Sequence, residues 1–259
     1  MYKILNKIFR LFGFQLQSLN KRGNQKFGKE LFIDIKDVDF WDLYETVKPY
    51  TMTSIERLYS LYCAVNYVIK NKIDGDFVEC GVWRGGCGLM IAKILEHNNI
   101  YNRKIYLYDT YEGMSEPTEF DLNPKGKNAS IMMKENINNK EFSIWCYASL
   151  DDVKQNMKLA KYPLDNIIFV KGKVEDTIPN IMPSNLIALL RLDTDFYEST
   201  KHELFYLWPK LERNGVLILD DYGHWAGCRK AVDEYFMENK INYLMNRIDY
   251  TSRVIVKIK

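Results

Sequence analysis

FVECGVWRGGCG, residues 77–88, passes from an apolar run into a glycine-rich turn and on toward a second apolar run that starts near Leu89. This order predicts a β-strand, a tight turn and an α-helix. Glycine has no side chain, so such a turn lets a ligand approach the backbone closely. We expect Gly81 and Gly85 to face that ligand, the alternative being a tight turn with a purely structural role.

The charge beside this turn indicates which ligand it accepts. The pattern is not GxGxxG, and the carboxylate of Glu79 would lie near the loop, where it disfavours a pyrophosphate but suits an ammonium and a sulfonium. The sequence therefore favours S-adenosylmethionine (SAM) over NAD. Asp109 ends the next predicted strand, where an acidic residue commonly holds ribose hydroxyls. Its alternative role is that of a helix cap or turn residue.

The rest of the chain extends this unit into an α/β fold. Residues 51–70 carry apolar side chains at helical spacing. Five strands are predicted, at residues 77–79, 105–108, 167–170, 187–192 and 216–219, and the segments between them are long enough for crossover helices. Residues 243–247 and 253–258 are separated only by a short turn, which predicts a terminal antiparallel hairpin. A mostly parallel seven-stranded sheet with this ending is the outline of the Rossmann-like class I SAM-dependent methyltransferase fold.

Two aspartate signatures follow apolar runs late in the chain, RLDTD at residues 191–195 and LDDY at residues 219–222. Parallel strands deliver ligand-binding residues at their carboxyl ends, so Asp193, Asp220 and Asp221 should converge at one edge of the sheet. Crowded carboxylates repel one another unless a cation lies between them. Oxygen ligands without Cys or His suit Mg²⁺ better than zinc, which predicts a magnesium site.

Together these stretches resemble the macrocin and mycinamicin sugar O-methyltransferase family, from about residue 51 to the C-terminus. The matching motifs are MTSIERLYSLYCAV (residues 52–65), GDFVECGVWRGG (75–86), DTYEGM (109–114), LRLDTDFYEST (190–200) and LILDDYGHWAGCRKAVDEY (217–235).

The resemblance implies a SAM-dependent and Mg²⁺-dependent enzyme. Asp193, Asp220 and Asp221 match the family's magnesium ligands, and the metal in turn grips vicinal hydroxyls of a sugar. Glu79 and Asp109 match its SAM-binding positions.

The chain also departs from the family pattern. Thr194 stands where Gly is common, and Cys87 stands where the turn often continues with Ser. Residues 172–177 lack the aromatics that usually follow the glycine, so no adenine contact is assigned there.

The expected reaction is methyl transfer to a sugar hydroxyl of a glycan, a nucleotide sugar or a glycosylated metabolite. Asp193 is the preferred base as well as a metal ligand, and His224, close to the second signature, is the alternative base. Three other functions stay open: a catechol-like phenolic O-methyltransferase, a non-catalytic SAM-binding protein, and a nucleotide-dependent oxidoreductase. Residues 111–139 are polar and contain Gly and Pro, which predicts a lid over SAM and acceptor or else a surface insertion.

Composition and the N-terminus complete the predictions. The 259 residues carry a net charge of +2 with interspersed signs, which gives no nucleic-acid footprint, and the five cysteines show no CxxC pair. Residues 1–14 form an amphipathic pattern with Lys3, Lys7 and Arg10 on one face, which suits contact with a membrane surface or docking on protein. We expect an N-terminal extension (1–50) and a methyltransferase domain (51–259), in a cytoplasmic homo-oligomer that contacts the inner face of the membrane.

Overall fold

The computed structural model describes residues 29–135, 146–183 and 186–258. It divides the chain into two compact units, residues 1–38 and residues 39–259. In the first unit the described part contains a short 3-10 helix, Lys29–Leu31. The predicted amphipathic segment, residues 1–14, lies outside the described residues, so its helix and its membrane contact stay predictions.

From residue 38 onward helices and strands alternate. The strands are β1 (Asp76–Cys80), β2 (Ile105–Asp109), β3 (Ile167–Lys171), β4 (Ile187–Leu192), β5 (Leu211–Leu219), β6 (Asn246–Arg247) and β7 (Arg253–Val256). The helices are α1 (Val38–Val47), α2 (Ile55–Lys70), α3 (Gly86–His97), α4 (Ala129–Glu135), α5 (Leu150–Met157), α6 (Val174–Thr177), α7 (Tyr197–Leu207) and α8 (Ala226–Glu238).

All seven strands join one sheet in the order β3-β2-β1-β4-β5-β7-β6. Strands β3, β2, β1, β4 and β5 are parallel to one another, whereas β7 is antiparallel to both β5 and β6. The strand order reverses between β1 and β4. Ligands of open α/β sheets bind at the carboxyl ends of the strands beside such a reversal.

The predicted fold is confirmed, although β7 ends at Val256 rather than at residue 258, and β5 and β6 also differ from their predicted ranges. β5 begins at Leu211 rather than at residue 216. The sequence did not predict this longer strand, because residues 212–214 are polar and largely exposed and so interrupt the apolar run that marks a buried strand. β6 has only two residues rather than the predicted 243–247. The side chain of Tyr243 packs against the hydrophobic core instead.

Helix α2 forms within the predicted range, residues 51–70, and begins at Ile55. Ser54 caps it, since its Oγ accepts a hydrogen bond from the backbone N–H of Arg57 at 3.3 Å. The face of α2 that carries Leu58 and Val65 is fully buried, and the helix packs against β4 and β5. Its first turn therefore reaches the sheet near the ends of those strands.

One hydrophobic core cluster contains Val78 of β1, Leu190 of β4 and Leu217 of β5, together with apolar residues of α7 and α8. These strand residues have no exposed surface. A packed core holds the strand ends in fixed positions, which is what a binding site built on them requires. Within the described ranges, no helix has the length and apolar character needed to cross a membrane.

Candidate active site

A cavity of about 230 Å³ lies at the carboxyl ends of the strands, beside the reversal between β1 and β4. Its lining includes Glu79, Asp109, Asp193, Asp220 and Asp221. Five acidic residues predicted from separate motifs are thus brought to one cavity. His224 lies outside the set of residues that line it.

The glycine-rich turn after β1 needs glycine because its backbone takes positive φ values and because one of its residues lies against another loop. Gly81 has a positive φ of 82°, and a Cβ at this position would lie 2.0 Å from the carbonyl oxygen of Asp193. Gly85 also has a positive φ, 86°, at the N-cap of α3. The turn is consequently closed against the loop after β4 and leads straight into a helix N-terminus.

Glu79 presents one carboxylate oxygen with no partner. Its Oε1 accepts a hydrogen bond from Arg191 Nη1 at 2.9 Å, whereas Oε2 is buried and has no hydrogen-bond partner among the described residues. Burial raises the pKa of Glu79 to about 7, although Arg191 acts in the opposite direction. A buried acceptor of this kind suits the ammonium group of an amino-acid ligand.

Asp109 ties two loops together at the end of β2. Its Oδ2 accepts from the backbone N–H groups of Val82, at 2.7 Å, and Trp83, at 3.0 Å. Its Oδ1 accepts from the N–H of Tyr111 at 2.7 Å. The Thr110 hydroxyl also lies 3.4 Å from Oδ1, so four donors of the chain face the roughly four acceptor sites of this carboxylate, and Asp109 holds the glycine-rich turn to the next loop.

Three carboxylates meet at the ends of β4 and β5. Oxygen atoms of Asp193, Asp195 and Asp221 all lie within 4.8 Å of one another, a geometry that can hold a metal ion. Asp221 Oδ2 is buried and has no hydrogen-bond partner among the described residues. Removal from water raises the pKa of Asp195 to about 7, and the negative charge of Asp193 acts in the same direction. An all-oxygen donor set of this kind fits Mg²⁺.

Asp220 is held differently from its neighbours. It pairs with Arg57, and its Oδ1 accepts from Arg191 Nη2 at 2.7 Å. Burial opposes ionisation of Asp220, but Arg191 and Arg57 outweigh it and lower its pKa. Of the three predicted metal ligands, the structure thus groups Asp193 and Asp221 with Asp195, whereas Asp220 lies outside this group and is paired to two guanidinium groups.

The site carries a net negative charge. Two guanidinium groups, those of Arg57 and Arg191, face the five carboxylates of Glu79, Asp193, Asp195, Asp220 and Asp221. Arg57 is also shared with Asp249, at 3.1 Å. Asp109, Glu175 and Lys173 also line the cavity, so with every carboxylate ionised its lining has four negative charges in excess. The cavity is therefore complementary to cations.

His224 lies at the rim of this region. Its Nδ1 is 2.9 Å from the hydroxyl of Tyr250. Partial burial lowers the pKa of His224, and the positive charge of Arg57 adds to this effect. A neutral imidazole with a lowered pKa can act as a base near pH 7.

The polar segment after β2 is anchored beside the carboxylates. Asp121 is fully buried, and its Oδ2 accepts from the N–H of Thr118 at 2.7 Å. Its Oδ1 accepts from the N–H of Tyr197, the first residue of α7, at 2.8 Å. Ala129 and Met133 of α4 pack with Phe196 and Trp225 in a small hydrophobic cluster. Residues 118–133 of the segment are therefore packed against α7 and Trp225, while residues 136–145 lie outside the described residues.

Comparisons with known proteins identify the class of fold. The chain aligns with the structure of the O-methyltransferase NovP at a TM-score of 0.68 and 30% identity, covering 81% of this chain and 83% of that one. It shares its fold with the calicheamicin methyltransferase CalS11, at a TM-score of 0.62 and 17% identity over 84% and 90% of the two chains. The fold is that of the class I SAM-dependent methyltransferases.

Relatives in sequence narrow this class to a family. Residues 11–257 match the family described as macrocin O-methyltransferase (TylF). Demethyldecarbamoylnovobiocin O-methyltransferase of Streptomyces niveus is 33% identical over 72% of this chain and 67% of its own length. Mycinamicin III 3''-O-methyltransferase of Micromonospora griseorubida is 32% identical over 74% and 72%. The protein belongs to the macrocin O-methyltransferase family and is an O-methyltransferase.

Proposed function

We propose that this enzyme transfers the methyl group of SAM to a sugar hydroxyl of a glycosylated acceptor, with Mg²⁺ at the carboxylate cluster. Two relatives carry names that specify a sugar position: the mycinamicin enzyme and a tetracenomycin rhamnosyl 4'-O-methyltransferase of Streptomyces olivaceus, 32% identical over 78% of this chain. The observation that supports a metal ion is the group of three carboxylates whose oxygen atoms lie within 4.8 Å of one another.

Charge balance supports both cationic ligands at once. A sulfonium and a divalent ion together carry three positive charges, which would offset most of the excess negative charge of the cavity lining. Glu79 Oε2 offers the unpartnered acceptor for the SAM ammonium, and Asp109, which lines the cavity, would face the ribose hydroxyls. Gly81 lines the cavity, where the cofactor can approach the backbone of the turn, whereas Gly85 lies outside the lining and lets the chain enter α3.

Two sets of metal ligands share Asp193 and Asp221. The family resemblance adds Asp220, whereas the geometry adds Asp195. In either set Mg²⁺ would supply Lewis acidity, which lowers the pKa of an acceptor hydroxyl and fixes its orientation. In the second set Asp220 acts indirectly, because its pairs with Arg57 and Arg191 hold the cluster in place.

A base has to take the hydroxyl proton when oxygen bonds to the methyl carbon and the carbon–sulfur bond breaks. Asp193 is our first choice because it lines the cavity, and removal from water together with the charges of Asp220 and Asp221 raises its pKa. His224 is the alternative. Its Tyr250 contact fixes the ring, but the side chain would have to reach the acceptor from the rim.

The test is release of S-adenosylhomocysteine from SAM with a panel of nucleotide sugars, glycosides and phenols, with Mg²⁺ and with a chelator. We expect release that needs both a sugar acceptor and Mg²⁺, and its loss in Asp193→Ala protein that still binds SAM. Methylation of phenols alone would replace the sugar by a catechol-like acceptor. SAM binding without turnover on any acceptor would favour a non-catalytic SAM-binding protein.

The N-terminal predictions are proposals of the same kind. We propose that residues 1–50 form an extension that supports a homo-oligomer in the cytoplasm, and that residues 1–14 contact an anionic membrane surface through Lys3, Lys7 and Arg10. Sedimentation with anionic liposomes tests the contact. Equal binding by the full chain and by a chain lacking residues 1–14 would contradict it.

A further inference from the structure

Arg57 lies between two carboxylates at the wall of the cavity. It belongs to the first turn of α2, lines the cavity, and has a side chain that is 18% exposed. Its Nη1 pairs with Asp220, and its Nε lies 3.1 Å from Asp249 Oδ2. Contacts at two different nitrogens fix the plane of a guanidinium group, which a single contact does not. Arg57 therefore keeps one orientation only while both carboxylates bind it.

Asp249 is itself fixed by the loop before β7. Its Oδ1 accepts hydrogen bonds from the backbone N–H groups of Thr251, at 2.9 Å, and Ser252, at 2.8 Å. Its Oδ2 faces Arg57 and accepts a hydrogen bond from the hydroxyl of Ser54, the cap of α2, at 3.3 Å. Both oxygens are engaged and the side chain is only 15% exposed. The carboxylate thus has a defined position from which to orient Arg57.

A third carboxylate lies close to Arg57 without being paired to it. Asp193 belongs to both proposed sets of metal ligands, and among the described residues no ion pair joins it to Arg57. The two side chains are nevertheless near enough to interact, since burial raises the pKa of Asp193 and the charge of Arg57 opposes that rise. An arginine side chain has many rotamers, so its direction decides which carboxylate it neutralises.

This direction matters for a divalent ion. A guanidinium group paired with Asp193 would occupy carboxylate oxygens that the ion needs, and it would place a second positive charge beside the ion. A guanidinium group held on Asp220 leaves the oxygens of Asp193, Asp195 and Asp221 open to the ion. The contact that prevents the first arrangement is the one with Asp249.

We infer that Asp249 is a positioning residue of the metal site: it holds Arg57 on Asp220 and keeps the guanidinium group away from Asp193. Asp249 itself would touch neither the metal nor the acceptor. The inference rests on the proposed Mg²⁺ at the carboxylate cluster. It applies to both proposed sets of metal ligands, because Asp193 belongs to each.

The test is calorimetric titration with Mg²⁺ alone, without SAM or acceptor. Asp249→Asn should weaken Mg²⁺ binding by about 10-fold or more, as is usual when an outer residue that orients a metal site is lost. The Asn side chain keeps an oxygen for the N–H groups of Thr251 and Ser252. Glu56→Gln is the matched control, because Glu56 is exposed and adjoins Arg57. Loss of this unit charge should change the affinity by less than about 2-fold.

The same substitution in an Arg57→Met background separates positioning from a direct effect of charge. Methionine cannot compete for Asp193, so Asp249→Asn should now change Mg²⁺ affinity by less than about 2-fold. Equal weakening in the two backgrounds would show that Asp249 acts through its own charge, and it would overturn the inference. So would unchanged Mg²⁺ affinity of Asp249→Asn in the wild-type background, while the metal proposal would stand.

A second ligand and a second variant guard against a general effect on the fold. Binding of S-adenosylhomocysteine should stay within about 2-fold in Asp249→Asn, and a parallel loss of both ligands would overturn the inference. Asp249→Ser is the second variant, since its hydroxyl can accept from the same turn but is too short to reach Arg57. It should weaken Mg²⁺ binding like Asp249→Asn. Wild-type protein that binds S-adenosylhomocysteine but not Mg²⁺ would remove the proposed metal, and the inference with it.

Discussion

Arg191 Nη1 donates both to Glu79 Oε1, at 2.9 Å, and to Asp193 Oδ2, at 2.7 Å. One buried guanidinium thus joins the carboxylate proposed to hold the cofactor to one proposed to hold the metal. Its Nη2 extends the network to Asp220. Any change in Arg191 should be felt at both ligand sites at once.

Substitution Arg191→Met should therefore destabilise the protein by about 3–5 kcal/mol, because it leaves several buried carboxylates without their counter-charge. Urea unfolding with the two ligands absent measures this loss. Arg84→Met is the control: Arg84 pairs with Asp152 at 2.8 Å, but both side chains are 35% exposed, so the cost should stay within about 1 kcal/mol. Equal losses in the two variants would contradict the role given to the buried network.

The metal ligands can be separated by two isosteric substitutions. If the ion lies among Asp193, Asp195 and Asp221, then Asp195→Asn should weaken Mg²⁺ binding by about 10-fold or more, since it removes one charged ligand. Calorimetric titration with Mg²⁺ is the measurement, and the exposed Glu119→Gln serves as control. Unchanged affinity in Asp195→Asn together with lost binding in Asp220→Asn would place the ion on the set that includes Asp220.

Glu79 should make the stability of the ligand-free protein depend on pH. Its pKa rises from 4.5 to about 7 on folding because of burial, so the folded state binds the proton more tightly than the unfolded state does. The resulting stabilisation is fully present below about pH 4.5 and is lost as pH rises through 7, by up to about 3 kcal/mol.

Urea unfolding at pH 5 and pH 8 tests this directly. The free energy of unfolding should fall more between these values in wild-type protein than in Glu79→Gln, and Glu112→Gln, which removes an exposed carboxylate, should behave as wild type. Parallel behaviour of wild type and Glu79→Gln would show that Glu79 titrates at its ordinary pKa.

Asp121→Ala should release the docked segment. The substitution removes the acceptor for the N–H groups of Thr118 and Tyr197 and should cost about 2–3 kcal/mol. Hydrogen exchange should accelerate at residues 118–133 before it does elsewhere, because the anchor is local. Glu119→Ala, next to it but exposed, should change stability by less than about 0.5 kcal/mol. Exchange that rises uniformly through the protein would argue against a local anchor.

The fold could be predicted because its signals are local. Apolar runs, the glycine-rich turn at Gly81 and Gly85, and the helical spacing after Ser54 each lie within a few residues of chain. The missed part of β5 had no such signal, since residues 212–214 are polar and exposed. The five acidic site residues followed from strand ends, because the carboxyl ends of parallel strands converge.

The basic residues that pair with these acidic side chains could not be predicted in the same way. Arg57 occupies an ordinary position in the first turn of a helix, and its partner Asp220 is 163 residues away. Asp195 is part of the RLDTD motif, but no sequence pattern predicted that it would lie beside Asp221. Its backbone there has a positive φ of 66°. Long-range pairing, not residue type, was the missing information.

The site residues at the end of β5 are synthesised before the residues that hold them in place, which lie in and just before β7. The backbone carbonyl of Asp220 accepts a hydrogen bond from Thr251, and that of Leu219 accepts one from Ser252 at 3.0 Å. β7 then pairs with β5 along its length. On the ribosome the aspartates emerge about thirty residues ahead of these partners, so a nascent chain exposes its acidic residues before it can fix them. A chain that ends before Thr251 would contain every residue proposed to bind the metal and the cofactor. It would lack the strand that holds those residues in position.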